Sequence, residues 1–292
     1  MNLMTAGGRV LALFKRDIHV FVRNPTALLF AVASPLVLAV LVPMFFRGEA
    51  AGVISGILPD AGMGDVHALG AAWACSTVAI LSLFSSSAAV LIVFLADRRE
   101  DRIDVHRVSG TAWWELVCGY LLTSVLVSFA ISFLVVLLGE LGGAMAGHPV
   151  MSFVVWLRVI LGILLAAVFF TALNALAITF VFSPGIFGAH CFAMGVATGF
   201  LTFSLSFTHG LGLLRLLPFA QAASVIREPM LIPALNRLDP GASLDLTYAL
   251  GAVVRWGATT WYAVVVVIVL LLWSAITMAL AFWRMGRVLA DR

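Results

Sequence analysis

Long apolar runs separated by short polar segments dominate the pattern along the chain. Six runs can be recognised, at residues 26–46, 69–96, 112–138, 157–182, 186–207 and 261–283. Each is long enough for a transmembrane helix, which needs about 20 mostly apolar residues. The pattern therefore predicts an all-α polytopic membrane protein with six transmembrane helices.

An amphipathic segment precedes the first run. In RVLALFKRDIHVFVRNP, apolar residues recur at steps of three and four, at Leu11, Phe14, Ile18 and Phe21, and arginines recur every seventh residue, at Arg9, Arg16 and Arg23. These two sets lie on different faces of a helix, as in helices that lie in the membrane interface. Residues 1–25 are predicted to form such a helix, ended by Asn24-Pro25 because a residue before proline avoids the helical region. Its interfacial residues are predicted to be Phe14, Lys15, Arg16, Ile18, Phe21 and Arg23.

Residues 26–292 are predicted to form a single six-span domain. Between the fifth and last runs, the segment LGLLRLLPFAQAASVIREPM is apolar but is interrupted by charged residues and prolines. Pieces so short and broken favour re-entrant or interfacial helices over a full crossing. Residues 208–260 are therefore predicted to form short re-entrant or extracellular helices before the last span.

Composition and charge fix the environment and the orientation. The chain is 63% hydrophobic and 11% charged, which excludes an ordinary soluble domain. With six spans, eleven of the seventeen Lys and Arg residues fall on one side, in the N-terminal segment, the loop after the second span and the C-terminal tail. The positive-inside rule then places both termini and that loop in the cytoplasm. We therefore expect an integral protein of the inner, or cytoplasmic, membrane. The net charge of +3 is an orientation signal, and no nucleic-acid partner is expected.

One loop concentrates the charge. Eight of the eleven residues at 97–107 are charged, and four acids are interleaved with the arginines. An orientation signal needs only basic residues, whereas mixed charge is typical of a specific polar interface, although a solvated connector has a similar composition. The candidate docking residues are Arg98, Arg99, Glu100, Asp101, Arg102, Asp104 and Arg107.

Motifs for catalysis or cofactor binding are not found. The single lysine, Lys15, has no glycine-rich loop beside it, so the chain has no phosphate-binding loop for ATP. The six histidines and three cysteines are scattered without the spacing of a metal site. No cofactor, metal or catalytic residue is expected on this chain.

A few polar residues lie deep in the predicted spans. Ser82 and Ser86 are one helical turn apart in the second span, and Thr171 and Asn174 are one turn apart in the fourth. Each pair shares a face, which suits hydrogen bonding between helices. Lining a translocation path is the alternative role for these four residues.

The order of these features resembles that of the type-2 ATP-binding-cassette (ABC) transporter permeases, the membrane subunits of bacterial ABC exporters. The resemblance rests on three stretches. They are the entry helix FKRDIHVFVRNPTALLF, the charged loop and return helix ADRREDRIDVHRVSGTAWWELVCGYLL, and LLPFAQAASVIREP followed by a last span ending in FWRMGR.

The resemblance implies a mechanism. Two such subunits, identical or related, would pair in the lipid bilayer, and each would dock on a separate ATPase subunit that holds ATP and Mg. Residues 97–111 would form the coupling loop, and closure of the ATPase dimer would move a central cavity between inward-facing and outward-facing states. The cargo would be hydrophobic or amphipathic. From the residues alone, a polytopic membrane enzyme or an assembly factor that uses the charged loop as a binding site is the alternative.

Overall fold

The computed structural model is a bundle of long helices. It describes residues 6–108, 110–181, 183, 186–187, 189–191, 217–238, 240–256, 259–261 and 263–290. The helices are α1 (Ala6–Arg23), α2 (Pro25–Ile57), α3 (Met63–Arg99), α4 (Arg102–Val108), α5 (Trp113–Met145), α6 (Phe153–Ile178), α7 (Pro218–Leu235), α8 (Pro240–Ala249) and α9 (Ala263–Ala290). A short antiparallel hairpin joins β1 (Val254–Trp256) to β2 (Thr259–Trp261), with Arg255 opposite Thr260.

Four of the described helices, α3, α5, α6 and α9, are long and apolar enough to cross a membrane. They coincide with the second, third, fourth and last predicted spans. The first predicted span lies in α2. Helix α1 and the first part of α2 are together long and apolar enough to cross a membrane, although they are bent relative to each other. They would make a fifth crossing if the bent pair forms one span. The fifth predicted span, 186–207, lies largely outside the described residues. A count of six thus stays a prediction.

The break between α1 and α2 follows from its sequence. Asn24 is extended, and its side chain accepts a hydrogen bond of 3.1 Å from the amide of Ala27, so it caps α2. Pro25 occupies the first helical position, where its missing N–H costs nothing. The predicted helix end at Asn24-Pro25 is confirmed.

The charged loop is folded into a helical turn. α3 ends at Arg99, Asp101 adopts a left-handed conformation with φ of 53°, and α4 begins at Arg102. Gly110, with φ of 76°, then turns the chain into α5. These two turns place a helix of seven residues at the end of the bundle. We call this end, where α1, α4 and the adjoining ends of α3 and α5 meet, the charged end.

Helix α3 is the centre of the bundle. Most of its side chains from Trp73 to Leu95 are buried, and α2, α5, α6 and α7 all pack on it. Three hydrophobic clusters follow one another along it, around Phe94 near the charged end, Phe84 in the middle and Trp73 towards the opposite end. By contrast, α2 and α9 expose many large apolar side chains, as expected of lipid-facing helices.

Helix α7 begins deep inside the bundle. Phe219 in its first turn packs on Phe169 and Phe170 of α6, with ring centroids 5.8 and 6.2 Å apart. Further along, a methyl group on Gly162 of α6 would lie 2.5 Å from the carbonyl oxygen of Val225, so the two helices touch there and run antiparallel. At about 1.5 Å per residue, Phe170 lies roughly 25 Å from the start of α6. Hence α7 starts beside the middle of α6 and runs towards the opposite end, and α8 and the hairpin follow it in the region predicted to precede the last span. A re-entrant course for α7 stays a prediction.

Candidate functional site

Asp97 is the centre of a buried ionic cluster at the charged end. Its carboxylate is fully buried and lies 2.6 Å from Nη2 of Arg16 in α1. The hydroxyl of Tyr120 in α5 donates a hydrogen bond of 2.7 Å to Oδ2, and Nη1 of Arg102 in α4 lies 3.7 Å from Oδ1. One carboxylate at the end of α3 therefore connects α1, α4 and α5.

A second buried carboxylate shares Arg16. Nη1 of Arg16 donates a hydrogen bond of 3.0 Å to Oδ1 of Asp17, which is 2% exposed. Burial raises the pKa of Asp17 to about 7, an effect that Arg16 opposes and the nearby Asp97 charge reinforces. Burial lowers the pKa of Arg16, but the charge of Asp97 outweighs it and keeps that pKa above its usual range. Helix α1 thus presents a fixed cation and a carboxyl group that gains a proton near neutral pH.

The beginning of α1 is held by another ion pair. Nη2 of Arg9 lies 2.7 Å from Oε1 of Glu115, and Nε of Arg9 donates to both carboxylate oxygens at 2.8 and 3.0 Å. Glu115 is buried in the first turn of α5 and also accepts a hydrogen bond of 3.0 Å from the amide of Ala112. Side-by-side contacts of this kind between arginine and a carboxylate fix orientation as well as distance. Together with Asp97, this pair fastens α1 along the start of α5.

A glycine allows α1 and α5 to approach closely. A methyl group on Gly119 would lie 3.0 Å from Cβ of Leu13 and 3.4 Å from Oδ2 of Asp17. The side of α1 that faces the protein is therefore Leu13, Asp17 and Phe21, all buried. The acid stands in the middle of this stripe.

The predicted docking residues divide into inward-facing and outward-facing groups. Arg98 is 6% exposed, and its Nη1 donates a hydrogen bond of 3.4 Å to the carbonyl of Val181, beyond the end of α6. The outward-facing group is exposed and comprises Arg99, Glu100, Asp101, Arg102 and Asp104, with Arg102 paired to Glu100. The side chain of Arg107 lies outside the described residues.

Helix α4 combines a buried anchor with an exposed apolar surface. Ile103 is 1% exposed and packs in the core cluster around Phe94. Val105 and Val108 are 68% and 91% exposed. Asp104 and Arg102 are exposed beside them. We call Val105, Val108 and the five outward-facing charged residues the docking face, because exposed apolar side chains surrounded by charges suit binding to a protein groove.

The predicted interfacial residues of α1 occupy several environments. Phe21 is buried, Phe14 and Ile18 are partly buried, and Lys15 and Arg23 are exposed. Arg16 belongs to the Asp97 cluster. Leu11, which the periodicity places on the apolar face, is 49% exposed. A membrane-interface location for this helix stays a prediction.

The four residues considered for a translocation path are fully buried between helices of the same chain. Ser82 and Ser86 donate to backbone carbonyls within α3, at 2.7 and 2.5 Å. Thr171 of α6 meets Ser124 of α5 at 3.1 Å, and Nδ2 of Asn174 donates to Oγ of Ser87 at 2.8 Å. Thr171 and Asn174 thus bond to neighbouring helices, whereas Ser82 and Ser86 bond within α3. The part of all four residues in a translocation path stays a prediction.

Sequence reasoning did not assign Asp17, Glu115 or Tyr120 to a site, and it took Asp97 only as one of the acids of the charged loop. The signal that could have found Asp17 is its spacing, because it lies four residues from both Leu13 and Phe21 and therefore on an apolar stripe. Tyr120 carries no such signal, because its role depends on the way α5 returns beside α3.

The family of the chain follows from comparison with sequence models of known families. The model described as ABC-2 type transporter matches residues 8–231. The chain belongs to this family. A search of curated proteins finds no match to it.

Membership in the ABC-2 type transporter family agrees with the geometry above. The chain is an integral membrane protein and a membrane component of an ABC transporter. The match begins within α1 and ends within α7, so it includes the ionic clusters, the docking face and the buried α3. It does not extend to α8, the hairpin or α9.

Proposed function

We propose that this chain is the permease subunit of an ATP-driven ABC exporter in the inner membrane. The observation that carries the proposal is the docking face of α4. It exposes Val105 and Val108 among charged residues, on a helix whose base is tied to α1, α3 and α5 through Asp97. A partner that binds there contacts α4, which is connected to α1, α3 and α5.

The charged end is the cytoplasmic end in this proposal. The arginines of α1, of the 97–107 loop and of the end of α9 support that orientation through the positive-inside rule. Both termini then lie in the cytoplasm, where a soluble ATPase is available. Helix α1 lies in the inner leaflet interface beside the docking face.

ATP hydrolysis belongs to a separate subunit. The sequence has no phosphate-binding loop, so ATP and Mg would bind the partner ATPase. Closure of two ATPase subunits would push α4, and the buried ion pairs of Asp97 would pass the displacement to α1, α3 and α5. A ligand that favours one of two arrangements shifts the whole bundle in this way.

Transport would require a second permease, either the same chain or a related one. The exposed apolar surfaces of α2 and α9 offer sites for lipid and for such a partner. A hydrophobic or amphipathic cargo suits a cavity formed between two bundles of this apolar composition.

The test is co-purification in mild detergent after expression with the neighbouring genes. The unmodified chain should carry a soluble ATPase in equal amount. The double variant Val105→Asp/Val108→Asp should lose it, because carboxylates replace the apolar centre of the docking face. Val150→Asp is the matched control, since Val150 is 63% exposed between α5 and α6 at the opposite end.

Two results would contradict the proposal. In the first, the intact protein purifies with no ATPase, which would favour a membrane enzyme or an assembly factor. In the second, the α4 double variant binds the ATPase as well as the Val150 control does. The latter result would remove the docking role from α4 and leave the family unaffected.

A further inference from the structure

Arg227 is a buried arginine in the apolar interior. It lies in α7, and 2% of its surface is exposed. Phe219, two turns earlier, packs against the middle of α6, so Arg227 stands between that depth and the opposite end. Charged side chains within the apolar layer are costly and usually functional.

Two hydroxyl groups of α3 receive the guanidinium. Nε of Arg227 lies 3.2 Å from Oγ of Ser76, and Nη2 lies 2.8 Å from Oγ1 of Thr77. Both hydroxyls donate their own protons to the carbonyl of Trp73, at 2.7 and 2.8 Å. Because their protons are directed to this carbonyl, both hydroxyl oxygens have lone pairs that can accept the hydrogen bonds of Arg227.

A third contact reaches the turn that follows α8. Nη1 of Arg227 donates a hydrogen bond of 3.1 Å to the carbonyl of Leu250. The next residue, Gly251, has φ of 68°, and a methyl group there would lie 3.0 Å from Nη1. The guanidinium also stacks over the ring of Trp73, 5.4 Å from its centroid. One side chain thus joins α3, α7 and the turn after α8.

Helix α3 connects this clamp to the charged end. The same helix holds Ser76 and Thr77 and ends beside Asp97 and the docking face. At about 1.5 Å per residue, its 37 residues make a rod of roughly 55 Å. Contacts with α2, α5, α6 and α7 restrict bending of α3.

We propose that Arg227 is the positioning residue that makes α7 and the turn after α8 follow the movement of α3, so that ATPase docking at the charged end changes the opposite end. The inference rests on the proposed function. Arginine suits this role because its planar guanidinium reaches three acceptors at fixed angles. A lysine has a single ammonium group and cannot hold all three in the same geometry.

The experiment measures the accessibility of one reporter cysteine in the complex with its co-purified ATPase. Cys75, Cys118 and Cys191 are first replaced by alanine, and Ala71→Cys is introduced. Ala71 is exposed and lines a crevice of about 40 Å³ between α3, α5 and α7 at the opposite end. The rate of labelling by a membrane-impermeant maleimide is measured without nucleotide and with ATP plus vanadate.

The reporter chain with Arg227 intact should show rates that differ by about fivefold or more between the two conditions, the lower range of coupling between linked sites. In Arg227→Met the ratio should fall to near one, while ATPase binding remains. Arg227→Lys should give an intermediate ratio. Arg237→Met is the matched control and should behave as the parent, because Arg237 is exposed just beyond α7.

A milder variant keeps the test usable if Arg227→Met does not fold. Thr77→Val has nearly the same shape and removes one acceptor, so its ratio should fall partway to one. A nucleotide-dependent ratio that is unchanged in the Arg227 and Thr77 variants would overturn the inference alone. A parent ratio of one, with ATPase bound, would also overturn it. Loss of ATPase association by the parent chain would instead overturn the proposed function and the inference with it.

Discussion

Arg16 and Asp97 meet at 2.6 Å, although the whole of α2 and most of α3 separate the two residues along the chain. Asp97 is fully buried, and Arg16 retains about a quarter of its side-chain exposure. The pair is therefore a fixed joint between α1 and α3, shielded from solvent on the acidic side.

Removing the cation of this joint should destabilise the protein. Arg16→Gln leaves a buried carboxylate without its closest positive charge, a change that costs about 3 kcal/mol in comparable buried pairs. The double variant Arg16→Gln/Asp97→Asn should recover part of the loss, with a coupling energy of about 1 to 3 kcal/mol. Thermal unfolding in detergent measures both, with Lys15→Gln as the exposed control on the same helix. Additive effects of the two single changes would show that the pair contributes nothing.

Stability should depend on pH through Asp17. Its pKa is raised by burial to about 7, whereas an unfolded aspartate titrates near 4. Between those values the folded state binds more protons than the unfolded state, so stability falls as pH rises towards 7 and is level above it. Asp17→Asn should remove this part of the pH dependence. The difference between the midpoint of unfolding at pH 8 and that at pH 5 should therefore be more positive in the variant than in the parent.

The pH experiment needs a comparison of differences, since other groups titrate as well. Arg16, Asp97 and Tyr120 face Asp17, and Arg102 faces Asp97, so all four stay unchanged in the variant. Asp60→Asn serves as the control because Asp60 is exposed beyond the end of α2. Parallel pH curves for the parent, Asp17→Asn and Asp60→Asn would mean that Asp17 is ionised at pH 5 in the folded protein.

Charge reversal in the 97–107 loop should give two different outcomes. Arg98→Glu places an acid in a buried position beside the end of α6, so it should lower the yield of folded protein in size-exclusion chromatography. Arg99→Glu changes an exposed residue and should leave the yield unchanged. In the ATPase pull-down, Arg99→Glu together with Asp104→Arg should weaken binding. Equal yields for Arg98→Glu and Arg99→Glu would contradict the division of the loop into inward and outward charges.

The contact between α6 and α7 should be sensitive to a single methyl group. Gly162→Ala would bring Cβ within 2.5 Å of the Val225 carbonyl oxygen, and overpacking of this kind costs about 1 to 3 kcal/mol. Gly70→Ala in α3 is the matched control, since no atom lies within 4 Å of its added methyl group. That change should be neutral or stabilise by up to about 1 kcal/mol, because alanine favours the helix. Melting midpoints that move in the same direction would show that α7 yields to the added volume.

The sequence was sufficient for the elements whose signal is local. Apolar runs of helical length predicted α3, α5, α6 and α9, and Asn24-Pro25 predicted the break before α2. The mixed charge of residues 97–107 predicted an interface with a partner, which stays a prediction, and the structure shows the helix α4 in this segment. These features depend on composition and on backbone chemistry over a few residues.

The remainder depended on contacts between distant segments. Nothing near Arg227 indicates that Ser76 and Thr77 will accept its hydrogen bonds, since those residues lie in another helix. The hairpin of β1 and β2 also went unpredicted. Its strands have only three residues each, although valine, threonine and tryptophan favour them. Apolar periodicity could not distinguish lipid from protein as the partner of a helix face, and so it placed Leu11 on the same face as Phe21.

The burial of α3 restricts how it can move. Side chains around its whole circumference pack closely against α2, α5, α6 and α7. In a close-packed interior, such side chains cannot move past one another without disrupting the packing. Axial rotation of α3 would break the contacts that Asp97, Ser87 and Thr77 make with other helices. A force applied to its charged end can therefore only tilt α3 or shift it along its axis, and the helices packed on it must move with it.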